Sequence, residues 1–147
     1  MSARPAESVR PARLYLDTSA YLTLLVHDPG WERLSDETAD AELFSSVLLL
    51  LETKRNLVRL AREGALKPEQ YKACVERVES DAGTFRLRDL TLDICSSNVL
   101  PAVSTPRSLD LVHLRTALWF HSAEPLDRFV TLDVSQEEAA KELGLPV

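Results

Sequence analysis

A chain of 147 residues is long enough for one domain with its own core and too short for two ordinary ones. Its 45% hydrophobic and 27% charged content is that of a globular protein, and no apolar run exceeds five residues, which excludes a membrane-spanning helix. The net charge of −6 argues against a protein that holds nucleic acid on a generally basic surface, yet it leaves room for a nuclease whose clustered acids take up cations.

The first thirteen residues, MSARPAESVRPAR, lack the apolar core of a secretory signal and read as a short flexible tail before a single domain over 14–147. The first strand is predicted over Leu14–Thr18, with Ser19 placed to cap a helix running to about His27. Asp28-Pro29-Gly30 is a turn, and a short helix follows around Trp31–Thr38. A second strand over Glu42–Phe44 leads to Ser45 and Ser46, which can cap a long helix ending before Gly64. Pro68 opens the next helix, to about Ser80, and Thr84–Leu87 reads as a third strand. Helices follow over Leu90–Leu100 and Ser108–Phe120, separated by the Pro101–Pro106 loop. The last unit is a strand over Arg128–Leu132 and a helix with capping-box spacing at Ser135-Gln136-Glu137-Glu138, ended by Gly144 and Pro146. Alternating strands and helices predict an α/β fold, a parallel sheet covered by helices. Cys74 and Cys95 both fall in predicted helices without metal-like spacing and read as small buried hydrophobes of a reducing cytoplasm.

Four acids stand where surface decoration is a poor explanation. Asp17 and Asp133 end apolar strands, Glu52 follows the run Val47-Leu48-Leu49-Leu50-Leu51, and Asp110 interrupts a helix that is apolar around most of its circumference. Carboxylates are seldom buried unless they are paired or hold a metal. In an open parallel sheet, ligands bind beyond the carboxyl ends of the strands. Asp17 and Asp133 occupy that edge, and the helices bearing Glu52 and Asp110 begin on the same side, so the four form one candidate pocket.

Each acid also has a plainer reading. Asp17 also reads as a helix cap, although Thr18 and Ser19 can do that work and leave its carboxylate free; the two hydroxyls are either donors to the site or simple caps. Glu52 lies on a polar stripe with Arg55, Asn56 and Arg59, between Leu50, Leu51, Leu57, Val58 and Ala61 as buried flanks, and its alternative is a solvated Glu–Arg pair. Asp110 in a first turn is tolerated by the helix dipole, which does not explain its placement. Asp133 competes with Ser135 as the cap of the last helix, and Thr131, two residues earlier on the same side of the strand, can support a metal-bound water. His27, His113 and His121 are left outside the site, His113 being read as a packing residue of a buried helix.

Magnesium and manganese neutralise phosphodiester charge, acidify water and orient it for in-line attack, and they prefer carboxylate and water oxygens. Four acids therefore suit one or two such ions. No His/Cys set supports zinc, no GxxxxGK[ST] run supports nucleotide binding and no GxSxG supports a serine hydrolase.

The segments around the acids resemble the PIN domain, and more narrowly the VapC-type toxins of toxin–antitoxin pairs. The resemblance is carried by Leu16-Asp17-Thr18-Ser19-Ala20, by Glu52-Thr53-Lys54-Arg55 and by Ser108-Leu109-Asp110-Leu111-Val112-His113-Leu114-Arg115-Thr116-Ala117. The fourth segment is Val130-Thr131-Leu132-Asp133, leading to Ala139-Ala140 and Leu143-Gly144-Leu145; together they cover residues 14–147. It implies a three-layer α/β/α sandwich and a Mg2+- or Mn2+-dependent endoribonuclease. Asp17 and Asp110 would then be the principal metal ligands, with Glu52 and Asp133 completing the site, and Thr18, Ser19 and Thr131 supporting them. It also implies a homodimer silenced by a small antitoxin whose tail occupies the groove. The Val134-Ser135-Gln136 that follows Asp133 departs from the basic and aromatic residues the family often shows there.

Helical spacing offers Lys54, Arg55, Arg59 and Arg62, with Arg107 near Asp110, as RNA contacts, against a reading as solvated surface arginines. A PIN nuclease of RNA maturation or DNA metabolism and a non-catalytic interaction domain are the competing functions. A receiver-like phosphoacceptor domain fits poorly, because Asp17-Thr18-Ser19 lacks paired acids and no Lys follows the late strand.

Overall fold

Strand residues of alternating facing build two apolar layers, one on each side of the sheet. The structure is a computed structural model that describes residues 10–96, 103 and 107–147. Its strands are β1 (Arg13–Leu16), β2 (Glu42–Ser46), β3 (Arg86–Arg88) and β4 (Arg128–Val130). Its helices are α1 (Thr18–Val26), α2 (Trp31–Thr38), α3 (Leu48–Arg62), α4 (Pro68–Ala82), α5 (Leu92–Ser96), α6 (Ser108–Ala123) and α7 (Val134–Glu142). All strand pairs are parallel, in the order β3-β2-β1-β4.

Tyr15 pairs with Phe44 on one side and Phe129 on the other, and all three turn to the layer that holds Leu114 and Ala117 of α6 and Ala139 and Ala140 of α7. Leu14, Leu16 and Val130 turn the opposite way, onto Ala20 and Leu24 of α1 and Leu34 of α2. A two-residue period thus places helices on both faces, the three-layer α/β/α sandwich of a PIN-like fold. A further apolar cluster of Tyr21, Leu25, Leu49, Leu57, Cys74 and Val78 ties α1, α3 and α4 together.

The predicted elements are all present, with shifted ends. β1 starts at Arg13, one residue inside the expected tail, because that arginine is itself buried: it lies 4.4 Å over the Phe44 ring and pairs with Glu42 and Glu124. Residues 1–9 of that tail, 97–100 of the predicted Leu90–Leu100 helix, and all of the Pro101–Pro106 loop except Val103 lie outside the described residues. Ser45 belongs to β2 and donates to the Leu16 carbonyl at 2.7 Å, while Ser46 Oγ accepts from the Leu48 amide at 3.2 Å. Gly144 adopts φ 77° beyond the end of α7, where the Leu145 amide returns to the Ala140 carbonyl. Only glycine takes that left-handed position without strain, so its predicted stop is physical.

Two burial expectations are corrected. α3 buries Leu49, Thr53 and Leu57, leaving Leu51 and Val58 exposed; α6 exposes Leu109 and Trp119. These helices cover one face each, and unbroken apolar spelling overstated how much of each is enclosed. Cys74 is buried, but Cys95, on the short α5, is exposed. Among the described residues no helix is long and apolar enough to cross a membrane.

Candidate active site

The strand order reverses direction at β1, which has β2 on one side and β4 on the other. Such a switch point opens a crevice at the carboxyl ends of the two diverging strands. Asp17 follows β1 directly and Thr131 follows β4, so both stand in that crevice. A pocket of about 190 Å³ there is lined by Asp17, Thr18, Ser19, Leu22, Glu52, Asn56, Asp110, His113 and Asp133. All four predicted acids therefore border one cavity.

Asp17 is 4% exposed and doubly employed. Its Oδ1 accepts from the Ala20 amide at 3.1 Å and from Ser19 Oγ at 2.7 Å, and its Oδ2 accepts from Thr131 Oγ1 at 2.5 Å. It is the cap of α1, which corrects the expectation that Thr18 or Ser19 would cap and leave its carboxylate free. Burial pushes its carboxyl above the usual range, against the hydrogen bonds from Thr131 and Ser19 and the proximity of His113.

Thr131 also accepts from the Asp133 amide at 3.1 Å, and Ser19 Oγ accepts from the Leu132 amide at 3.0 Å, so the ends of β1 and β4 are sewn together by two hydroxyls. Asp133 caps α7: its Oδ1 accepts from the amides of Ser135 and Gln136 and from Ser135 Oγ, which corrects the capping-box reading centred on Ser135. These bonds, the Ser135 hydroxyl foremost, hold its carboxyl below the usual range. Gln136, 1% exposed, donates to the Asp110 carbonyl at 2.9 Å and anchors α7 to the start of α6.

Asp110 sits in the first turn of α6, and no described residue donates to its carboxylate. Burial raises its carboxyl, and the negative charges of Asp133 and Asp17 raise it further, against His113 and Arg107. Mutual repulsion of this kind marks carboxylates that share a space, here only partly offset by His113 and Arg107.

For Glu52 the competing reading as a solvated Glu–Arg pair gives way to contacts with α1 and α6. Thr18 Oγ1 donates to its Oε1 at 2.9 Å, and His113 Nε2 lies 2.9 Å from the same oxygen. Burial pushes this carboxyl up, but the His113 and Thr18 contacts outweigh it and leave the group lowered. His113, set aside on sequence grounds, is thus part of the site. The available signal was its position one turn beyond Asp110, on the same side of α6.

Among the described residues, no group of three or more His, Cys, Asp or Glu side chains is drawn together as a ready metal cage. Asp17, Glu52 and Asp133 are each engaged by hydroxyl, amide or imidazole partners, and the charges of Asp133 and Asp17 repel that of Asp110. The donor set nonetheless suits a hard cation: every acidic group is a carboxylate, and those of Asp110 and Asp17 are raised by their surroundings. Arg107, preceding α6, acts electrostatically on Asp110 and Asp133. Arg55 is exposed and acts on Glu52 at a distance, whereas Arg59 is turned to Glu63 at 3.1 Å and to Asn56.

Fold and site define a class: a parallel α/β/α sandwich with an acidic pocket at its switch point. No protein-family model matches the chain. Ribonuclease VapC35 of Mycobacterium tuberculosis, from strains CDC 1551 / Oshkosh and H37Rv, is 30% identical over 137 residues, covering 91% of this chain and 94% of the relative. The chain belongs to the VapC-type PIN-domain family.

Proposed function

We propose that this protein is a divalent-metal-dependent endoribonuclease, using Mg2+ or Mn2+, and the toxin of a cytoplasmic toxin–antitoxin pair. The observation that carries the reading is the gathering of Asp17, Glu52, Asp110 and Asp133 around one pocket at the sheet's switch point, in a chain related to Ribonuclease VapC35. Asp17 and Asp110 would be the principal ligands, with Glu52 and Asp133 completing the set. A cation bound there supplies phosphate neutralisation and an acidified, oriented water.

The chain's own residues do the rest. Ser19 and Thr131 hold the Asp17 carboxylate in one orientation, and Thr18 and His113 hold that of Glu52. Among the described residues none donates to the Asp110 carboxylate, so a cation relieves the repulsion from Asp133 and Asp17. Arg107, beside the acids, faces the charge of an incoming phosphate, with Arg55 further along α3; Arg59 contributes less because Glu63 already neutralises it. The protein works as a homodimer and is silenced by a small cognate antitoxin that fills the acidic groove.

The test is RNA cleavage by rigorously purified protein with Mg2+ or Mn2+, followed by sequencing of the 5′ ends of fragments, against Asp17→Asn and Asp110→Asn. Both variants abolish cleavage and keep the fold. Undiminished cleavage by Asp17→Asn overturns the reading.

A further inference from the structure

His113 is 2% exposed and borders the acidic pocket from α6. Its Nε2 lies 2.9 Å from Glu52 Oε1 and 3.2 Å from Thr18 Oγ1, and its Nδ1 lies 2.8 Å from the hydroxyl of Tyr15, a residue with 0% exposure.

The network dictates where the ring hydrogen sits. Thr18 has one hydroxyl hydrogen and gives it to Glu52 Oε1 at 2.9 Å, so its oxygen offers His113 only lone pairs. A carboxylate offers only lone pairs as well. Both neighbours of Nε2 demand a donor, so Nε2 carries the hydrogen whatever the state of Nδ1. At the other nitrogen Tyr15 fixes the ring, packing edge-on with centroids 5.8 Å apart. An imidazole held at both nitrogens cannot swing out of the pocket.

Glu52 needs such a restraint. A glutamate on a partly open helix face samples several rotamers, and ordering it costs entropy. Asn56 donates only to the Glu52 main-chain carbonyl, and Arg55 acts on the carboxylate only at a distance. Two donors pin Oε1, while Oε2 receives none from the described residues. We infer that His113, braced by Tyr15, is a positioning residue that holds Glu52 with one carboxylate oxygen presented to the acidic pocket, and thereby sets the divalent-metal affinity of that pocket. The inference rests on the metal-dependent reading above. Hydrogen bonds to ligating carboxylates ordinarily govern metal affinity by about 10- to 100-fold.

Calorimetric titration of Mn2+ into RNA-free protein tests it, in the wild type, His113→Leu, His113→Gln, Glu52→Gln and the double variant His113→Leu/Glu52→Gln. His113→Leu weakens Mn2+ binding by about 10-fold or more. His113→Gln, which keeps a donor near the Nε2 position, recovers most of the loss. In the Glu52→Gln background the His113 substitution has no further effect, which a general packing role does not produce. If His113→Leu fails to unfold cooperatively, Tyr15→Phe carries the same comparison: a several-fold weakening that vanishes with Glu52→Gln supports the inference. Wild-type Mn2+ affinity in folded His113→Leu, or in Tyr15→Phe where that variant is used, overturns it and leaves the metal reading standing. Absence of Mn2+ binding by the wild type overturns both.

Discussion

Thr131 donates its hydroxyl to Asp17 at 2.5 Å, joining residues 114 positions apart at the ends of two neighbouring parallel strands. The same hydroxyl accepts from the Asp133 amide, so one small side chain couples the first and last acids of the site. Its removal leaves a buried carboxylate oxygen and a backbone amide without their partner. Thr131→Val therefore destabilises the protein by about 1.5–3 kcal/mol, the range for a lost hydrogen bond to a charged group. It also lowers cleavage by loosening Asp17. Urea unfolding checks the first effect and RNA cleavage the second.

Asp110→Asn separates stability from activity. The Asp110 carboxyl is raised in the folded protein by burial and by Asp133 and Asp17, so its ionised form opposes folding at neutral pH. The amide removes that opposition. Because the side chain is only partly buried and solvent screens it, the gain is held to under about 1 kcal/mol, or roughly 2–4 °C in melting temperature for a chain of this size. The sign reverses the usual carboxylate case: the advantage of Asp110→Asn is present above the raised pKa and closes as pH falls through it. Thermal melts in chelator across pH 3.5–8 measure it, and an unchanged or lowered Tm at pH 7 contradicts the repulsion.

A bound cation acts in the opposite direction to chelation. Mn2+ at about 100 times its Kd stabilises the folded state by ~2.7 kcal/mol, and the increment is lost in Asp110→Asn. Chelator abolishes RNA cleavage by the wild type. Melts with and without Mn2+, for both proteins, are the measurement; equal increments in the two proteins rule out Asp110 as a ligand.

Alkaline stability turns on two buried phenols. Burial holds Tyr15 well above its ordinary value, and burial together with the hydrogen bond to Asp81 does the same for Tyr21. Raised folded-state values mean that their contribution is complete below the unfolded phenol value of about 10 and is lost as pH rises beyond it. Stability therefore falls steeply above about pH 10, and Tyr21→Phe flattens part of that fall. Melts across that range, paired with phenolate absorbance, check the assignment.

The arginines divide by their partners. Arg59 is engaged by Glu63, whereas Arg107 lies within electrostatic reach of Asp110 and Asp133. Arg107→Ala raises KM for RNA several-fold and flattens its salt dependence, since a phosphate contact is lost. Arg59→Ala changes KM by less than about two-fold, a margin typical of exposed pairs. Steady-state kinetics at several salt concentrations distinguish them.

Much of this molecule is legible in the order of its residues. The two-residue alternation of Leu14, Tyr15 and Leu16 prescribes a strand covered on both faces, and Gly144 prescribes the end of α7. The strand-end positions of Asp17 and Asp133 predict acids at one edge, because a parallel sheet sends every carboxyl end the same way. Those are properties of local periodicity and chain direction. The long-range side-chain partners lie 114 positions away for Asp17, 61 to 98 away for His113, and 34 to 61 away for Glu52. Only tertiary packing decides that Asp17 is a fully engaged cap, that Glu52 leaves its helix stripe for Thr18 and His113, and that Leu51 faces solvent. A hydrogen bond is set by where two atoms arrive, and spacing along a helix or strand specifies only the face from which each side chain departs.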